Sequence, residues 1–295
     1  MKILVTGGAG FIGRYLVESL KKNHTVLVYD NLSNSKKIPD EKNVKFCKGD
    51  ILDYDNLCKF SKDVDIMIHL AALTNVTESV IDPENTIDVN VNGTANVIKA
   101  CNENKIKKII FASSAAVYGD NSEIISENTK TDPLSAYGNS KIEAEKIIVK
   151  RCNENKISYI ILRIFNVYGK GQNEKYAGVI TKFAKNILQK KPVVIHGNGK
   201  QTRDFVSIHD VIDAFLCAIE SKSNGVYNIA SGKSLSINEL ANMMFDVFGK
   251  VEIKHLAKQK GDIQNSNADI TLAKEQLHFI PTRKLKKELA SIYHE

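Results

Sequence analysis

At 295 residues, 43% apolar and 25% charged, the chain has room for one large domain or two lobes sharing a core, with the balance of an ordinary soluble protein. Its formal charge of +7 comes from scattered lysines, with short runs at Lys105–Lys108 and Arg283–Lys287 that lack interleaved aromatics, so no nucleic-acid partner is expected. No apolar run nears the roughly 20 residues of a membrane span, no signal peptide is evident, and five scattered cysteines without a C-x-x-C pair suit a reducing cytoplasm, with neither disulfide framework nor metal site.

The first element is a strand-like Ile3-Leu4-Val5 that breaks into Thr6-Gly7-Gly8-Ala9-Gly10-Phe11-Ile12-Gly13 and resumes as an amphipathic helix. Gly7, Gly10 and Gly13 stand at the spacing G-x-x-G-x-x-G. Glycines there allow a tight turn and close backbone approach, and the helix N-terminus offers free N–H groups to a pyrophosphate. A second strand-like run, Thr25–Tyr29, ends at Asp30, seventeen residues past Gly13. A carboxylate at that place accepts from ribose hydroxyls and repels a 2′-phosphate, which selects NAD over NADP.

Strand-like and helix-like segments then alternate. Val44–Lys48, Asp65–Leu70, Lys108–Ala112 and Ser158–Arg163 read as strands; Tyr54–Ser61, Pro83–Cys101 and Ala136–Asn153 read as helices. Nearly all-apolar strands in this rhythm predict an α/β fold, a doubly wound Rossmann sheet of parallel strands covered on both faces. A dinucleotide should lie across the carboxyl ends of the strands, where their order reverses. At those ends stand Gly49-Asp50-Ile51, where the carboxylate can accept from an adenine amino group; His69-Leu70-Ala71-Ala72, whose small residues let backbone lie against a cofactor; Ala112-Ser113-Ser114-Ala115-Ala116-Val117-Tyr118-Gly119; and Arg163-Ile164-Phe165-Asn166-Val167-Tyr168-Gly169. His69 is expected to be a satisfied core histidine, not a base.

Ser135-Ala136-Tyr137-Gly138-Asn139-Ser140-Lys141 carries the catalytic signal. Tyr137 and Lys141, at i and i+4, share one helix face, so the ammonium can reach the phenol or a ribose beside it. A nearby ammonium and a positively charged nicotinamide favour the phenolate and are expected to lower its pKa toward neutrality. Tyr137 then serves as a general base.

TGGAGFIG, GDI, HLAA, ASSAAVYG, YGNSK, RIFNVYG and the later Gly199-Lys200-Gln201-Thr202-Arg203-Asp204-Phe205-Val206 together resemble the extended short-chain dehydrogenase/reductase family. Within it they are most similar to the NAD-dependent epimerase/dehydratase branch, near the UDP-glucose 4-epimerases. The resemblance covers essentially the whole chain. It implies Tyr137 as base, Lys141 as its partner and ribose ligand, and Ser114 as a hydrogen-bond partner of the sugar 4-hydroxyl. It further implies that Phe11, Ile12, Asp30, Asn31, Asp50, Ile51, Leu70, Ala71, Ala72, Asn90 and Lys141 line NAD. Asn166 and Arg203 would hold the UDP-sugar, Arg203 by a charge-assisted fork on the diphosphate, with Ser79, Val179 and Asp262 on the same ligand. A homodimer through the helices Pro83–Cys101 and Ala136–Asn153 is also implied.

The implied reaction is hydride removal from C4 of the hexose with proton transfer to Tyr137, followed by return to the other face of the 4-keto sugar. In related 4,6-dehydratases an Asp-Glu pair follows the catalytic serine or threonine, and in UDP-glucuronate decarboxylases a Glu stands second. Ala115 and Ala116 fill those places here and move no protons. Two departures stand out. Where the family often has an Arg before its Gly-Asp, this chain has Gln259, in Lys258-Gln259-Lys260-Gly261-Asp262. Ser266 occupies a position where a bulky Tyr would exclude N-acetyl groups, so room for UDP-GlcNAc and UDP-GalNAc is expected beside UDP-glucose and UDP-galactose. The alternatives are a 4-keto-sugar-nucleotide reductase, against which the missing NADPH preference argues, and 4-epimerisation of another sugar nucleotide such as UDP-glucuronate.

The C-terminal part is expected to form a smaller α/β substrate lobe, with helices at Gly178–Gln189 and Ile237–Phe248 and a strand at Pro192–Ile195. The lobes interleave in this reading: residues 1–165 with about 204–230 bind NAD, while about 166–203 and 231–295 bind the sugar nucleotide.

Overall fold

The computed structural model describes residues 1–36, 38–121, 123–172, 178–258 and 263–293. From the N-terminus these form β1 (Lys2–Thr6), α1 (Phe11–Leu20), β2 (Thr25–Asp30), β3 (Val44–Lys48), α2 (Tyr54–Phe60), β4 (Ile66–His69), α3 (Val76–Ile81), α4 (Pro83–Ile87), α5 (Gly93–Glu103), β5 (Lys108–Ser114), α6 (Ala136–Asn155) and β6 (Ser158–Ile164). There follow β7 (Asn166–Tyr168), α7 (Val179–Leu188), β8 (Val193–His196), β9 (Thr202–Ser207), α8 (Ile208–Glu220), β10 (Gly225–Ile229), β11 (Ser234–Ser236), α9 (Ile237–Phe248), β12 (Ile253–Leu256), α10 (Thr271–Leu277) and α11 (Leu285–Tyr293).

Seven strands make one parallel sheet in the order β10-β6-β5-β4-β1-β2-β3. Its central strands are apolar on both faces, which only a two-sided cover tolerates. One face packs on α1, α8 and α10 through Leu16, Leu20, Val211, Phe215 and Leu277. The other packs on α2, α5 and α6 through Leu57, Val97, Cys101, Ala144 and Ile148. The strand order reverses between β1 and β4, so their carboxyl ends splay around a crevice, as the doubly wound reading expects. No described helix is long and apolar enough to cross a membrane.

Three details escape the sequence pattern. The helix expected over Pro83–Cys101 is broken at Asp88–Asn92 by a π-helical turn, a feature that re-aims side chains and recurs at functional sites. Lys108 begins β5 yet is buried, and its Nζ donates to the carbonyls of Ala218, Ile219 and Ser221. It thereby caps the C-terminal carbonyls of α8, where helix geometry leaves acceptors unfilled. The C-terminal lobe contains β7-β9-β11 and β8-β12 ribbons too short to show an alternating pattern. They surround α7, α9 and a separate core of Phe183, Ile187, Ile195, Leu240 and Met244.

Candidate active site

The β1–α1 turn is shaped for close approach. Gly7 has φ +68°, and a Cβ there would lie 2.6 Å from Ala71 N. A Cβ on Gly13 would lie 2.5 Å from the Gly7 carbonyl oxygen. Gly10 caps α1 without a side-chain bond, and no acidic residue occupies the first turn, so the helix end presents bare N–H groups and its dipole to an anion. Phe11 and Ile12 open that helix and are half-buried. Asp30, at the end of β2, takes hydrogen bonds from Ala9 N (3.0 Å), Leu32 N (2.8 Å) and Ser35 Oγ (3.1 Å), which pins the glycine turn to the strand end. Asn31 Nδ2 donates to Asp50 Oδ2 at 2.8 Å. The side chain of Ile51 instead turns into the core, where a Cβ on Gly93 would meet its Cδ1 at 2.4 Å. Leu70, Ala71 and Ala72 run past Gly7 as half-buried backbone. This cradle fits a dinucleotide: it has a glycine turn, a bare helix end and a carboxylate at the next strand end.

Asn90 lies in the π-turn and is buried. Its carbonyl accepts from Leu73 N (2.8 Å), and its amide donates to Leu73 O (2.9 Å) and Ser140 Oγ (2.9 Å). It thus straps the loop after β4 to the helix α6 that carries Ser140. Ser79, expected on the sugar nucleotide, is buried with its hydroxyl committed to backbone: it accepts from Tyr137 N (3.1 Å) and donates to Val76 O (2.7 Å). His69 is the satisfied core histidine expected. Thr94 gives its proton to Asn90 O, so His69 Nε2 donates to Thr94 Oγ1 (2.9 Å), while Nδ1 accepts from Thr6 Oγ1 (2.7 Å). Burial, helped by the Lys141 charge, pushes the imidazole down to about 3 and keeps it neutral.

Tyr137 and Lys141 lie on α6, which begins with Ser135 capping Gly138 N. Ser114, at the end of β5, stands near enough to the Tyr137 hydroxyl for its own side chain to favour the phenolate. Lys141 Nζ donates to Ala112 O at 2.9 Å and lies 5.8 Å from the Tyr137 ring centroid and 4.7 Å from that of Phe111. The expected lowering of the Tyr137 pKa does not come from the protein groups alone. Burial raises it, and the nearby Ser114 side chain opposes that rise. Burial also lowers Lys141 to about 8, against the pull of Glu145. Ala115 and Ala116 form the short turn that Ser114 caps.

The substrate-side residues gather around β9. Asn166 Nδ2 donates to Asp204 O (3.1 Å), and Arg203 Nη1 donates to the carbonyls of Thr202 (2.8 Å) and Ile263 (2.7 Å). Ser266 is buried, its N–H directed at Thr202 Oγ1 (3.3 Å). Asp120, beyond the serine turn, accepts from Gln264 N (2.7 Å) and so joins the Ser266 segment to the end of the catalytic strand. Val179 opens α7, half-buried against the C-terminal core. Asp262 and Gln259 lie outside the described residues. Sequence reasoning missed Glu145 and Arg163, a buried pair directly beneath Lys141. The recurrence of Tyr137, Lys141 and Glu145 every four residues was the available signal, since it places all three on one helix face.

A family model described as the NAD dependent epimerase/dehydratase family matches residues 3–230. A protein of Methanocaldococcus jannaschii described as a putative UDP-glucose 4-epimerase is 40% identical over 98% of this chain and 96% of its own. Among solved structures, the UDP-N-acetylglucosamine 4-epimerase of Methanobrevibacter ruminantium in complex with UDP-N-acetylmuramic acid is 37% identical with a TM-score of 0.94, covering 99% of this chain and 96% of that one. The UDP-glucuronic acid 4-epimerase of Bacillus cereus, in complex with UDP-glucuronic acid and NAD, is 34% identical with a TM-score of 0.91, over 99% and 98% of the two chains. With the glycine cradle, Asp30 and the Ser114–Tyr137–Lys141 cluster, these matches show that the chain is an enzyme of the NAD-dependent epimerase/dehydratase family.

Proposed function

We propose that this enzyme inverts C4 of UDP-hexoses, interconverting UDP-glucose with UDP-galactose and UDP-GlcNAc with UDP-GalNAc. The observation that carries the reading is the grouping of Ser114, Tyr137 and Lys141, with Lys141 Nζ 5.8 Å from the Tyr137 ring centroid and only methyl groups at Ala115 and Ala116. NAD, which the Gly7–Gly13 turn and Asp30 would hold, would supply the hydride chemistry at C4 when bound. Tyr137 takes the O4 proton and later gives it back, with Ser114 orienting that hydroxyl. Lys141 supports the phenolate with its charge. Dehydration or decarboxylation needs a further acid or base, which Ala115 and Ala116 cannot provide. Arg203, Asn166, Val179, Ser266 and Asp262 would hold the nucleotide and sugar while the 4-keto ring turns over.

The pure protein is expected to epimerise UDP-glucose and UDP-GlcNAc without added NAD, read by separating the C4 epimers. Inert UDP-hexoses with active UDP-glucuronate would transfer the reading to the sugar acid. Net consumption of reduced cofactor would make it a 4-keto-sugar reductase. Ser266→Tyr fills the buried space beside the proposed sugar and should cut turnover of UDP-GlcNAc by about tenfold or more while sparing UDP-glucose, the scale on which pocket fit discriminates. Equal losses on both sugars would remove Ser266 as the gate.

The same reading makes the enzyme a cytoplasmic homodimer joined through α4, α5 and α6. Ile87 of α4 (46% exposed) supports it, with Val80 (68%) and Ile81 (78%) bared on the adjoining α3, because apolar side chains exposed side by side mark an interaction surface. Sedimentation at twice the chain mass is expected; a monomer at all working concentrations would contradict it.

A further inference from the structure

Beneath the catalytic pair lies a buried charge for which the proposed chemistry has no use. Glu145 follows Lys141 by one helical turn on α6 and is only 6% exposed. A carboxylate at that depth must be matched. Arg163 on β6 donates Nε to Oε1 at 3.0 Å and Nη2 to Oε2 at 2.7 Å, and Ser113 Oγ donates to the same Oε1. The remaining arm of Arg163, Nη1, reaches the Tyr118 hydroxyl (3.0 Å) and Glu127 O (3.3 Å). Tyr118 in turn donates to Asn228 Oδ1 on β10 (2.7 Å). Ser113 stands between Ala112, whose carbonyl takes Lys141 Nζ, and Ser114, whose side chain meets Tyr137. From the helix that carries both catalytic side chains, the carboxylate therefore grips the strand end that presents both of their partners.

Charge points the same way. The groups facing Lys141 are the neutral His69 from β4, the Phe111 ring and Ala112 carbonyl from β5, and Tyr137 and Glu145 from its own helix. Burial works against the ammonium, and Glu145 is the carboxylate that works for it. Around Glu145 itself stand Arg163 from β6, with Tyr118 and the Glu127 carboxylate beyond. For Arg163, burial likewise opposes the charge, and the Glu145 contact overcomes it.

We infer that Glu145 is a positioning residue of the reaction: it clamps the end of β5 to α6 through Ser113, and its charge holds the Lys141 ammonium beside Tyr137. The kinetic part of this inference rests on the epimerase reading; the charge part does not.

Glu145→Gln keeps the shape and an acceptor for Ser113 but removes the charge. In the holoenzyme, the alkaline limb of the kcat–pH profile should move to lower pH by about one unit. Turnover above the wild-type limb should then fall about tenfold, with KM little changed. Glu145→Asp retains the charge on a shorter arm, so it should slow turnover at every pH and leave the limb in place. A second readout needs no substrate: with 15N-labelled lysine, the Lys141 Nζ resonance, assigned by its loss in Lys141→Met, should titrate at lower pH in Glu145→Gln than in wild type. An unmoved limb and an unmoved Lys141 titration would overturn the inference. Should wild-type protein leave C4 of every sugar untouched, the epimerase reading falls while the Lys141 titration still judges Glu145. If Glu145→Gln does not fold, Glu145→Gln/Arg163→Gln leaves no lone buried charge and should shift Lys141 the same way by less; no shift there also overturns it.

Discussion

Tyr137→Phe should cost about 10²–10⁴ in turnover, the range in which a positioned acid–base group contributes, with NAD retained and the fold intact. The ring of Tyr137 is buried and its backbone N–H is held by Ser79, so the phenyl ring keeps the packing and the helix start. Only the hydroxyl, and its closeness to the Ser114 side chain, disappear. Turnover would be read by C4-epimer separation and NAD content by absorbance of the denatured supernatant. A Tyr137→Phe enzyme with wild-type turnover would remove the phenol from the mechanism, and one that had lost NAD would make the residue a cofactor contact first.

Gly7→Ala should lose NAD and stability together. The added Cβ meets Ala71 N at 2.6 Å, Ala71 Cα at 2.8 Å and Leu70 C at 2.9 Å, all backbone atoms of β4's exit that cannot rotate away. The φ of +68° adds its own strain for a residue with a Cβ. Overpacking and left-handed backbone each cost about 1–3 kcal/mol, and the Gly7 N–H to Tyr29 O bond (2.9 Å) and the Gly10 N–H to Gly7 O bond (3.1 Å) both hang on this residue. Gly171→Ala is the matched control: φ is +88° but no described residue beyond its chain neighbours lies within 4 Å of its Cβ position, so it should show the backbone strain alone and keep NAD. Melting temperature and bound NAD of the two variants check this; equal behaviour would mean that the turn yields.

The doubly wound sheet was legible because buried parallel strands announce themselves as apolar runs, as β1 does at Ile3-Leu4-Val5, while the edge strand β3, with two lysines, also runs over Val44–Lys48 as expected. That Tyr137 and Lys141 share one face of a helix was legible because a four-residue spacing survives in sequence. What stayed hidden depended on depth. Lys108 reads as one more member of a solvated basic run, and only the packing of α8 over β5 makes it a buried cap. Glu145 reads as the polar face of a helix until Arg163, from a strand eighteen residues later, is laid across it. Ser79 and Asn90 were expected to touch ligands, yet the structure commits their polar atoms to the start of α6 and the loop after β4. The π-turn that holds the buried Asn90 has no sequence signature of its own, and the short strands β7 and β11 carry too few residues for a period to appear.

Hydrogen returned to the carbon it left is the claim that everything here serves, and a deuterium label reads it directly. UDP-hexose carrying deuterium at C4 should yield its C4 epimer with the label still on C4 and no water lost. Label washed into solvent, or a dehydrated product, would contradict the account.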